Sequence, residues 1–384
     1  MVEFGRPGTP LDAVVGIVPS FVFEPADERE TASILRNANE TGLSVIPTGG
    51  GTKLDWGNPP RKTDILLSMR RQNRVIEHAW ADLTVTVEAG CTVADLQRTL
   101  AEHGQRLAID PLWPERATIG GILATNDSGA LRLRYGALRD LIIGVTLALA
   151  DGTIAMSGGK VVKNVAGYDL PKLATGALGS LGVITRAVFR LHPLPRNTRT
   201  LTVPAEDAAE MQRMVLAILD ARLVPAAVQT RFGSVSKAEV DILLEGTPDG
   251  IAAQESAIRK LGTAGQGLPA VWNAREELWG SGPIVKFSTL PSRISLVWES
   301  LERFAHAPWS AVVQATGIGY ARFDGDLQGL RTAIEEDGGS LVILGRTNLD
   351  TWGSPGDALP LMQAVKKQLD PKDTLNPGRF VGSI

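Results

Sequence analysis

A run of three glycines between two threonines is the sequence feature with the clearest chemical meaning. Residues 47–52 read Pro-Thr-Gly-Gly-Gly-Thr and directly follow the apolar stretch 43–46, which is typical of a short strand. Glycines have no Cβ, so the backbone can approach a ligand closely and adopt positive φ angles. Successive free amides in such a turn form a concave anion site. The loop therefore predicts binding of a phosphate or pyrophosphate, with a flexible surface turn as the alternative.

The loop is neither of the two common nucleotide-binding motifs. It lacks the G-x-x-x-x-G-K-[ST] spacing of a P-loop, and no G-x-G-x-x-G follows the strand. We expect Gly50 to adopt a positive φ angle. The phosphate of the ligand is expected to occupy the space that a side chain at this position would fill.

Four further segments, 110–129, 135–140, 163–169 and 176–185, stand out beside the loop. Small residues in them allow a flat ligand to lie against the backbone. In the last segment glycine recurs every third residue, which is compatible with a helix–helix contact or with a turn beside a cofactor. A strand follows directly, so the turn is favoured. Each segment alone is more simply structural, whereas their order and spacing together indicate a common function.

Composition is that of an ordinary globular protein. The 384 residues suffice for two domains, with 43% hydrophobic and 21% charged residues. A net charge of −3 gives no reason to expect nucleic acid as a partner. The single cysteine, Cys91, excludes an intrachain disulfide and a cysteine-ligated iron–sulfur cluster. The four histidines show no metal-ligand spacing, so no metal site is expected.

The N-terminal stretch lacks the apolar core of a signal peptide, and no apolar run reaches the roughly 18 residues of a membrane span. The expected location is therefore the cytoplasm, with peripheral attachment to the inner membrane through partners.

Hydrophobic periodicity predicts alternating short strands and helices up to about residue 195. The expected elements are strands at 18–23, 43–46, 65–67, 84–90 and 183–191 and helices at 27–41 and 93–102. Asp27 is the expected N-cap of the first helix and Gly42 its end. Asp151-Gly152 is typical of a hairpin turn between strands 141–149 and 153–156.

Beyond residue 198 the order strand–helix–strand–strand–helix occurs twice. The elements are expected at 199–204, 206–222, 226–232, 238–245 and 248–261, and again at 283–288, 292–305, 309–315, 318–323 and 326–337, with a strand at 340–346. Such halves tend to form an antiparallel sheet with helices on one face. A last helix at 358–369 and the tail at 370–379 form a separate piece.

Six motifs together resemble the vanillyl-alcohol-oxidase-type, or PCMH-type, FAD-binding domain. They lie at 47–52, 117–121, 126–129, 135–136, 167–169 and 179–185. The tail at 370–380, Asp-Pro-Lys-Asp-Thr-Leu-Asn-Pro-Gly-Arg-Phe, is similar to the end of FAD-linked oxidases that include D-lactate dehydrogenases and glycolate oxidase. The phrase at 162–170, Val-Lys-Asn-Val-Ala-Gly-Tyr-Asp-Leu, most resembles the smaller FAD-binding subunit, the E subunit, of bacterial glycolate oxidase complexes. The resemblance covers about residues 13–195 and 358–380 and is weak between them.

The resemblance implies an α+β fold with FAD as the cofactor. A PCMH-type FAD-binding domain of two α/β subdomains is expected at residues 1–196. A cap domain with a large antiparallel sheet is expected on the substrate side, at 197–357. The C-terminal segment, 358–384, is expected to return to the FAD-binding domain.

The resemblance also assigns residues to parts of FAD. The pyrophosphate is expected at Pro47, Thr48, Gly49, Gly50, Gly51 and Thr52, with Lys53 adding charge. The isoalloxazine and ribityl groups are expected along Pro111, Ala117, Thr118, Gly120 and Gly121, in a wall that continues through Asn126, Ser128 and Gly129. The adenine or the ring edge is expected at Gly179, Gly182, Val183 and Ile184, and the tail is expected to return to the flavin with Asn376 and Arg379.

The chain also departs from the family pattern. Relatives that attach FAD covalently use a histidine in or near the glycine loop, where this chain has Thr52 and Lys53, so the FAD is expected to be non-covalent. Cys91 does not align with a cysteinyl link and is expected to be a buried small residue. The paired histidines and acidic partner of catalytic relatives are missing. His306 is left as the candidate base, with a structural role as its alternative.

A carboxylate-binding arginine is expected in the cap, because a guanidinium matches two carboxylate oxygens. Arg293 and Arg322 are the candidates, with Lys286 and Tyr320 as weaker ones. A solvated surface position is the alternative for each of these residues.

The resemblance implies an FAD-containing subunit of a glycolate oxidase complex. The chain is expected to oxidise glycolate, a small 2-hydroxy acid, to glyoxylate or to relay electrons within the complex. Its expected partners are a sister FAD-linked subunit and an iron–sulfur subunit. Without the histidine pair, the chain alone is expected to be a poor glycolate dehydrogenase. The alternatives are a non-catalytic flavin-bearing scaffold and a free-standing FAD-dependent oxidase or dehydrogenase of another 2-hydroxy acid or sugar alcohol.

Overall fold

Two units with separate hydrophobic cores make up the chain in this computed structural model, which describes residues 5–159, 168–280 and 282–384. The first unit combines Met1–Ser128, Ala137–Leu194 and Asp350–Ile384. The second combines Gly129–Gly136 and Pro195–Leu349. Most of the phrase at 162–170 that resembles the glycolate oxidase subunit, up to residue 167, lies outside the described residues.

The first unit alternates short strands with short helices. Its strands are β1 (Arg6–Pro7), β2 (Phe21–Phe23), β3 (Val45–Thr48), β4 (Ile65–Ser68), β5 (Val75–Ala79), β6 (Thr84–Glu88), β7 (Gln105–Arg106), β8 (Ile142–Ala148), β9 (Ile154–Gly158), β10 (Val183–Arg190) and β11 (His192–Pro193). Its helices are α1 (Glu28–Thr41), α2 (Val93–Ala101), α3 (Ile119–Thr125), α5 (Leu138–Leu141), α6 (Leu170–Ala174) and α12 (Leu359–Leu369).

The glycine loop lies at the end of a parallel strand. β2, β4 and β3 are parallel neighbours in a four-stranded sheet of order β1-β2-β4-β3, and α1 connects β2 to β3. α1 begins as predicted, because the Asp27 carboxylate accepts hydrogen bonds from the Arg29 and Glu30 amides, and it ends at Gly42 with a φ of 71°. Ligands of parallel sheets bind at the carboxyl ends of strands, which is where residues 49–52 lie.

A second sheet of this unit is antiparallel, with the order β5-β6-β10-β8-β9. β8 and β9 form the predicted hairpin, in which Gly152 has a φ of 82°. α2 and α3 pack on this sheet through Leu96, Leu100, Ile119 and Ile122, which are buried in its core. The predicted α/β part is therefore built from one mostly parallel and one antiparallel sheet, each with helices packed against it.

Backbone pairing and a buried ion pair build the C-terminal segment into the first unit. Leu375 forms a parallel bridge to Val45, so the tail extends the edge of β3. The Lys366 ammonium donates to the Asp370 carboxylate at 2.6 Å and to the carbonyls of Ser180 and Leu375 at 3.0 and 2.8 Å. The Asp370 carboxylate also accepts from the Leu375 amide at 2.7 Å. The tail therefore returns to the elements that carry the glycine loop.

The second unit is an eight-stranded antiparallel sheet with helices. Its strands are β12 (Asn197–Ala205), β13 (Ala227–Gly233), β14 (Ser236–Gly246), β15 (Gly265–Gln266), β16 (Ile284–Ser288), β17 (Ser310–Gln314), β18 (Ile318–Arg322) and β19 (Ser340–Leu344). Its helices are α4 (Arg132–Tyr135), α7 (Ala208–Asp220), α8 (Pro248–Leu261), α9 (Ala274–Glu277), α10 (Ile294–Phe304) and α11 (Leu327–Glu336).

The predicted repeat is confirmed in the order of the elements. β12-α7-β13-β14-α8 is the first half and β16-α10-β17-β18-α11 the second, and β13 pairs with β17 to join them in the order β15-β12-β14-β13-β17-β18-β16-β19. Side chains such as Val240, Val285 and Val313 form a core with the apolar faces of the helices. Strand residues alternate between the two faces of a sheet. Lys286 therefore points to the other face from Val285. The predicted large antiparallel sheet is confirmed.

Several elements of the first unit, among them β5 and α3, were not predicted from the sequence. β5 carries Glu77 and His78 in its middle, and as the edge strand of its sheet it has no apolar alternation. α3 contains Gly120 and Gly121, which are poor helix formers. Its helical conformation depends on burial of residues such as Ile119 in the core.

Among the helices that the structure describes, none combines the length and apolarity that crossing a bilayer requires.

Loss of the Lys366 ammonium should destabilise the protein. In Lys366→Met the fully buried Asp370 carboxylate would lose its cation. Removing one partner of a buried ion pair typically costs about 3–5 kcal/mol, so we expect a clear fall in melting temperature in a thermal unfolding experiment. Lys367→Met is the matched control, because Lys367 is adjacent and exposed. Equal melting temperatures for the two variants would contradict a stabilising role of the buried pair.

Candidate functional site

A groove in the first unit is lined by most of the residues that the sequence assigned to a cofactor. One part, of about 420 Å³ including space open to solvent, is lined by Pro47, Thr48, Gly49, Met69, Ala89, Thr118, Gly120, Gly121, Ala124, Leu178, Gly179, Gly182, Val183 and Ile184. The adjoining part, of about 450 Å³ measured in the same way, adds Gly50, Gly51, Thr52, Lys53, Leu54, Thr125, Asn376 and Arg379. The two parts share seven lining residues, among them Pro47 and Leu178, so the groove is continuous.

The glycines of the loop permit a close contact between two backbone segments. A Cβ on Gly49 would lie 1.9 Å from the Thr118 hydroxyl, and a Cβ on Gly50 would lie 1.7 Å from the Arg116 carbonyl oxygen. Gly51 has a φ of 73°, whereas Gly50 is not in the left-handed region. The predicted positive φ angle of Gly50 is therefore wrong. This glycine is required because the loop packs on segment 116–118, and Gly51 is the residue with positive φ.

α3 forms a second wall of the groove. The Thr118 hydroxyl caps the helix by accepting from the Gly121 amide at 3.3 Å. A Cβ on Gly120 would lie 2.9 Å from the Ala89 Cβ, which is closer than ordinary contact. Gly120 therefore lets the helix approach the residue that follows β6.

A tight turn at residues 177–182 forms the third wall. Leu178 and Gly179 both have positive φ angles, 52° and 71°. A Cβ on Gly179 would lie 2.9 Å from the Pro47 Cγ, so this turn also packs on the glycine loop. The Leu178 carbonyl accepts a hydrogen bond from the Asn376 side-chain amide at 2.5 Å. The predicted turn in segment 176–185 is confirmed, and the alternative of a helix–helix contact is wrong.

The tail brings buried polar groups to the groove. Arg379 is 2% exposed, and its Nη2 donates to the Leu54 and Trp56 carbonyls at 2.5 Å each. Burial lowers the pKa of Arg379 to about 10, against an opposing effect of Asp55. Among the described residues, the Arg379 Nε and the Asn376 Oδ1 are buried without a hydrogen-bond partner. Buried polar atoms without partners are costly, and a polar ligand in the groove would remove this cost.

Lys53 is buried rather than solvated. Its Nζ lies 3.1 Å from the Asp127 carboxylate and 5.6 and 5.4 Å from the ring centres of Trp56 and Trp113. The fully buried Asp127 carboxylate also accepts from the Leu112 amide at 2.9 Å. The Lys53 charge next to the glycine loop is thus balanced within the protein by Asp127.

The remaining assigned residues do not line the groove. Pro111, Ala117, Asn126 and Ser128 lie in the first unit outside its lining, and Gly129 belongs to the second unit. Ala117 is part of the hydrophobic core, and Asn126 ends α3 with a φ of 47°. Ser128 is buried as well.

Several lining residues were missed, because their side chains carry no chemical signal. Met69 and Ala89 follow β4 and β6 directly, and Ala124 lies on α3. Leu178 was missed for the same reason. β4 and β6 belong to different sheets, so no rule on neighbouring strand ends would have brought Met69 and Ala89 together.

The second unit does not bring the three candidate catalytic residues together. Arg322 ends β18, opposite Ile284 at the start of β16. Arg293 follows the other end of β16 and is half exposed. His306 is exposed, and its amide donates to the Asp324 carbonyl at 2.9 Å, two residues beyond Arg322. His306 and Arg322 therefore lie at one end of the sheet, and Arg293 lies at the opposite end.

The two weaker candidates, Lys286 and Tyr320, lie close to each other and to a further cationic residue, Arg275. Lys286 and Tyr320 are cross-strand neighbours, and the Lys286 Nζ lies 5.7 Å from the centre of the Tyr320 ring. The Arg275 guanidinium of α9 lies 5.3 Å from the same ring. The Tyr320 side chain is 1% exposed, and its hydroxyl has no hydrogen-bond partner among the described residues. Arg275 was missed because it lies between the elements predicted at 248–261 and 283–288, in a stretch for which no element was expected.

In the described part of the chain, no three His, Cys, Asp or Glu side chains are arranged to hold a metal ion. Cys91 is 2% exposed, and burial raises the pKa of its thiol to about 11. A thiol with such a pKa is a poor nucleophile near neutral pH.

The residues of the groove fit FAD. Gly49 and Gly50 leave a backbone surface that any Cβ would disrupt, and Gly51 adopts a left-handed conformation that suits an anion-binding turn. The buried guanidinium of Arg379 supplies positive charge beside that surface. A family model described as "FAD binding domain" matches residues 19–157. The chain carries an FAD-binding domain of the PCMH-type FAD-linked oxidases, and FAD is its cofactor.

Curated relatives share the region of this domain. Glycolate oxidase subunit GlcD of Bacillus subtilis (strain 168) is 34% identical over 212 residues, which are 55% of this chain and 45% of the relative. The D-lactate dehydrogenase of Archaeoglobus fulgidus is 34% identical over 209 residues, 54% of this chain and 46% of the relative. The D-2-hydroxyglutarate dehydrogenase of Xanthomonas citri pv. viticola is 31% identical over 191 residues, 49% and 40% of the two chains. The chain thus matches just under half the length of these relatives.

A solved structure of alkyldihydroxyacetonephosphate synthase superposes with a TM-score of 0.73 at 18% identity. The superposition covers 95% of this chain and 78% of the other. At this identity the likeness shows the fold alone, and it confirms the predicted α+β fold.

A side chain at Gly50 should weaken FAD binding. In Gly50→Ala the new Cβ would displace the loop from the Arg116 carbonyl, and overpacking of this kind typically costs about 1–3 kcal/mol. We expect the purified variant to contain less FAD and its apoprotein to show a higher Kd in a fluorescence titration. Gly356→Ala is the control, since its Cβ would meet no atom within 4 Å. Full FAD occupancy in Gly50→Ala would show that the packing of this loop does not support the cofactor.

The flavin should be released by acid precipitation. The glycine loop has Thr52 and Lys53 where covalent relatives use a histidine, and the Cys91 thiol is buried. We therefore expect the yellow colour in the supernatant, measured by its absorbance spectrum. Colour that stays in the washed pellet would contradict a non-covalent cofactor.

Proposed function

We propose that this chain is the FAD-containing subunit of a complex that oxidises glycolate, or a similarly small 2-hydroxy acid, to the 2-oxo acid. Its relatives include proteins named for glycolate, D-lactate and D-2-hydroxyglutarate, which are all 2-hydroxy acids. When bound, FAD supplies the acceptor for the two electrons of this oxidation. The residues of the chain must then hold the carboxylate of the substrate and accept a proton from its hydroxyl.

The group of Arg275, Lys286 and Tyr320 in the second unit is the observation that supports this substrate class. Two cationic side chains lie within 6 Å of one buried aromatic ring, at 5.3 and 5.7 Å. The Tyr320 hydroxyl is buried and has no partner among the described residues. A carboxylate would accept the Tyr320 hydrogen bond and would be attracted by both cations.

The group of Arg275, Lys286 and Tyr320 would bind the carboxylate of the substrate. It does not identify the catalytic base. His306 is the one histidine in residues 197–357, and it is exposed at the end of the sheet. A positioned base typically contributes about 10²–10⁴-fold to the rate. We therefore propose that the chain binds the hydroxy acid but turns it over slowly by itself, and that the assembled complex is faster.

We propose a sister FAD-linked subunit and an iron–sulfur subunit as partners. Electrons that leave FAD need an acceptor, and the single cysteine of this chain cannot hold an iron–sulfur cluster. We place the complex in the cytoplasm, attached peripherally to the inner membrane through its partners.

Removal of the Tyr320 hydroxyl tests the proposed carboxylate site. A hydrogen bond to a charged group is typically worth about 1.5–3 kcal/mol, so Tyr320→Phe should raise the glycolate KM of the assembled complex roughly 10- to 150-fold. The FAD content of the variant should stay unchanged. Lys286→Met should act in the same direction, because it removes one of the two cations.

Lys237→Met is the matched control, since Lys237 is an exposed lysine of the same unit, paired with Glu206. The proposal fails if Tyr320→Phe and Lys286→Met both keep the glycolate KM of the wild type.

A further inference from the structure

Arg70 holds two carbonyl groups of the glycine loop. Its Nε donates to the Gly49 carbonyl at 3.0 Å, and its Nη2 donates to the Gly50 carbonyl at 3.0 Å. Arg70 is exposed and does not line the groove. A guanidinium offers donors in a rigid planar fork, so it can fix two acceptors relative to each other. Arg70 thus acts on the loop from outside the groove.

The turn that carries Arg70 is itself firmly held. The Met69 amide donates to the Thr48 carbonyl at 2.8 Å, directly beside the glycine loop. The buried Gln72 side chain donates to the Thr31 hydroxyl on α1 at 2.8 Å. The parallel strands and their crossover helix α1 therefore fix the backbone from which the Arg70 side chain extends.

Arg70 affects the groove through the planar geometry of the peptide groups whose carbonyls it binds. In a planar trans peptide the C=O and N–H bonds point in opposite directions. Fixing the Gly49 and Gly50 carbonyls therefore aims the Gly50 and Gly51 amides away from Arg70. Neither amide has a hydrogen-bond partner in the described part of the chain. With Gly51 at a φ of 73°, successive amides of this kind can converge on one anion.

We propose that Arg70 is a positioning residue for the FAD pyrophosphate. It sets the direction of the Gly50 and Gly51 amides before FAD binds, and it does not contact FAD itself. The amides then need no reorientation when the pyrophosphate arrives, which lowers the cost of binding. The inference rests on the FAD site and not on the proposed substrate, so either can fail while the other holds.

The experiment titrates apoprotein of the full chain with FAD and, separately, with riboflavin, which has no phosphate. In Arg70→Met we expect the FAD Kd to rise about tenfold or more, because two hydrogen bonds that orient the loop are lost. The riboflavin Kd should be unchanged. Arg70→Lys should lose as much FAD affinity as Arg70→Met, because an ammonium keeps the charge but not the fork.

Arg71→Met is the matched control. Arg71 is exposed on the same turn, and its guanidinium donates to the Glu24 carbonyl at 3.1 Å, away from the glycine loop. Its FAD Kd should equal that of the wild type.

Three results would overturn the inference. The first is a wild-type FAD Kd in Arg70→Met. The second is recovery of FAD affinity in Arg70→Lys, which would reduce the role to charge attraction. The third is a loss of FAD affinity in Arg70→Met that is matched by riboflavin or by Arg71→Met, which would assign a general structural role.

Discussion

The first unit depends on a close approach of three backbone segments, at the glycine loop, at the start of α3 and at the turn before β10. Each approach leaves no room for a Cβ. A Cβ on Gly50, Gly120 or Gly179 would lie 1.7, 2.9 or 2.9 Å from its nearest neighbouring atom, respectively. The groove is therefore a backbone surface, and its shape is fixed by the absence of side chains. Such a surface offers amides to phosphates and a flat wall to a ring, which is what FAD requires.

The tail completes this surface with buried charge. The Lys366–Asp370 pair fixes the tail against the turn before β10, and the bridge between Leu375 and Val45 fixes it along β3. Arg379 then enters the groove with a buried guanidinium whose Nε lacks a partner among the described residues. A charge buried in this way is unfavourable in the protein alone and becomes favourable beside an anionic cofactor. Binding of FAD and folding of the tail should therefore support each other.

Much of the fold could be predicted, because its elements follow clear local rules. α1 begins at an N-cap aspartate and ends at Gly42, and the two halves of the second unit follow simple periodicity. α3 could not be predicted, because Gly120 and Gly121 oppose a helix locally and only tertiary packing decides its conformation. The cofactor residues came from motifs whose glycines carry the signal. The Arg275–Tyr320 contact has no local signal, since it joins a short helix to a distant strand.

This chain binds FAD, and we propose that the bound FAD accepts electrons from a small 2-hydroxy acid. Anaerobic addition of glycolate to the FAD-loaded chain, alone and in the assembled complex, tests this claim most directly. We expect the oxidised-flavin absorbance to bleach in both, more slowly in the chain alone, and in the complex to recover when an electron acceptor is added. A flavin spectrum that glycolate and D-lactate leave unchanged, in the chain alone and in the complex, would contradict the account.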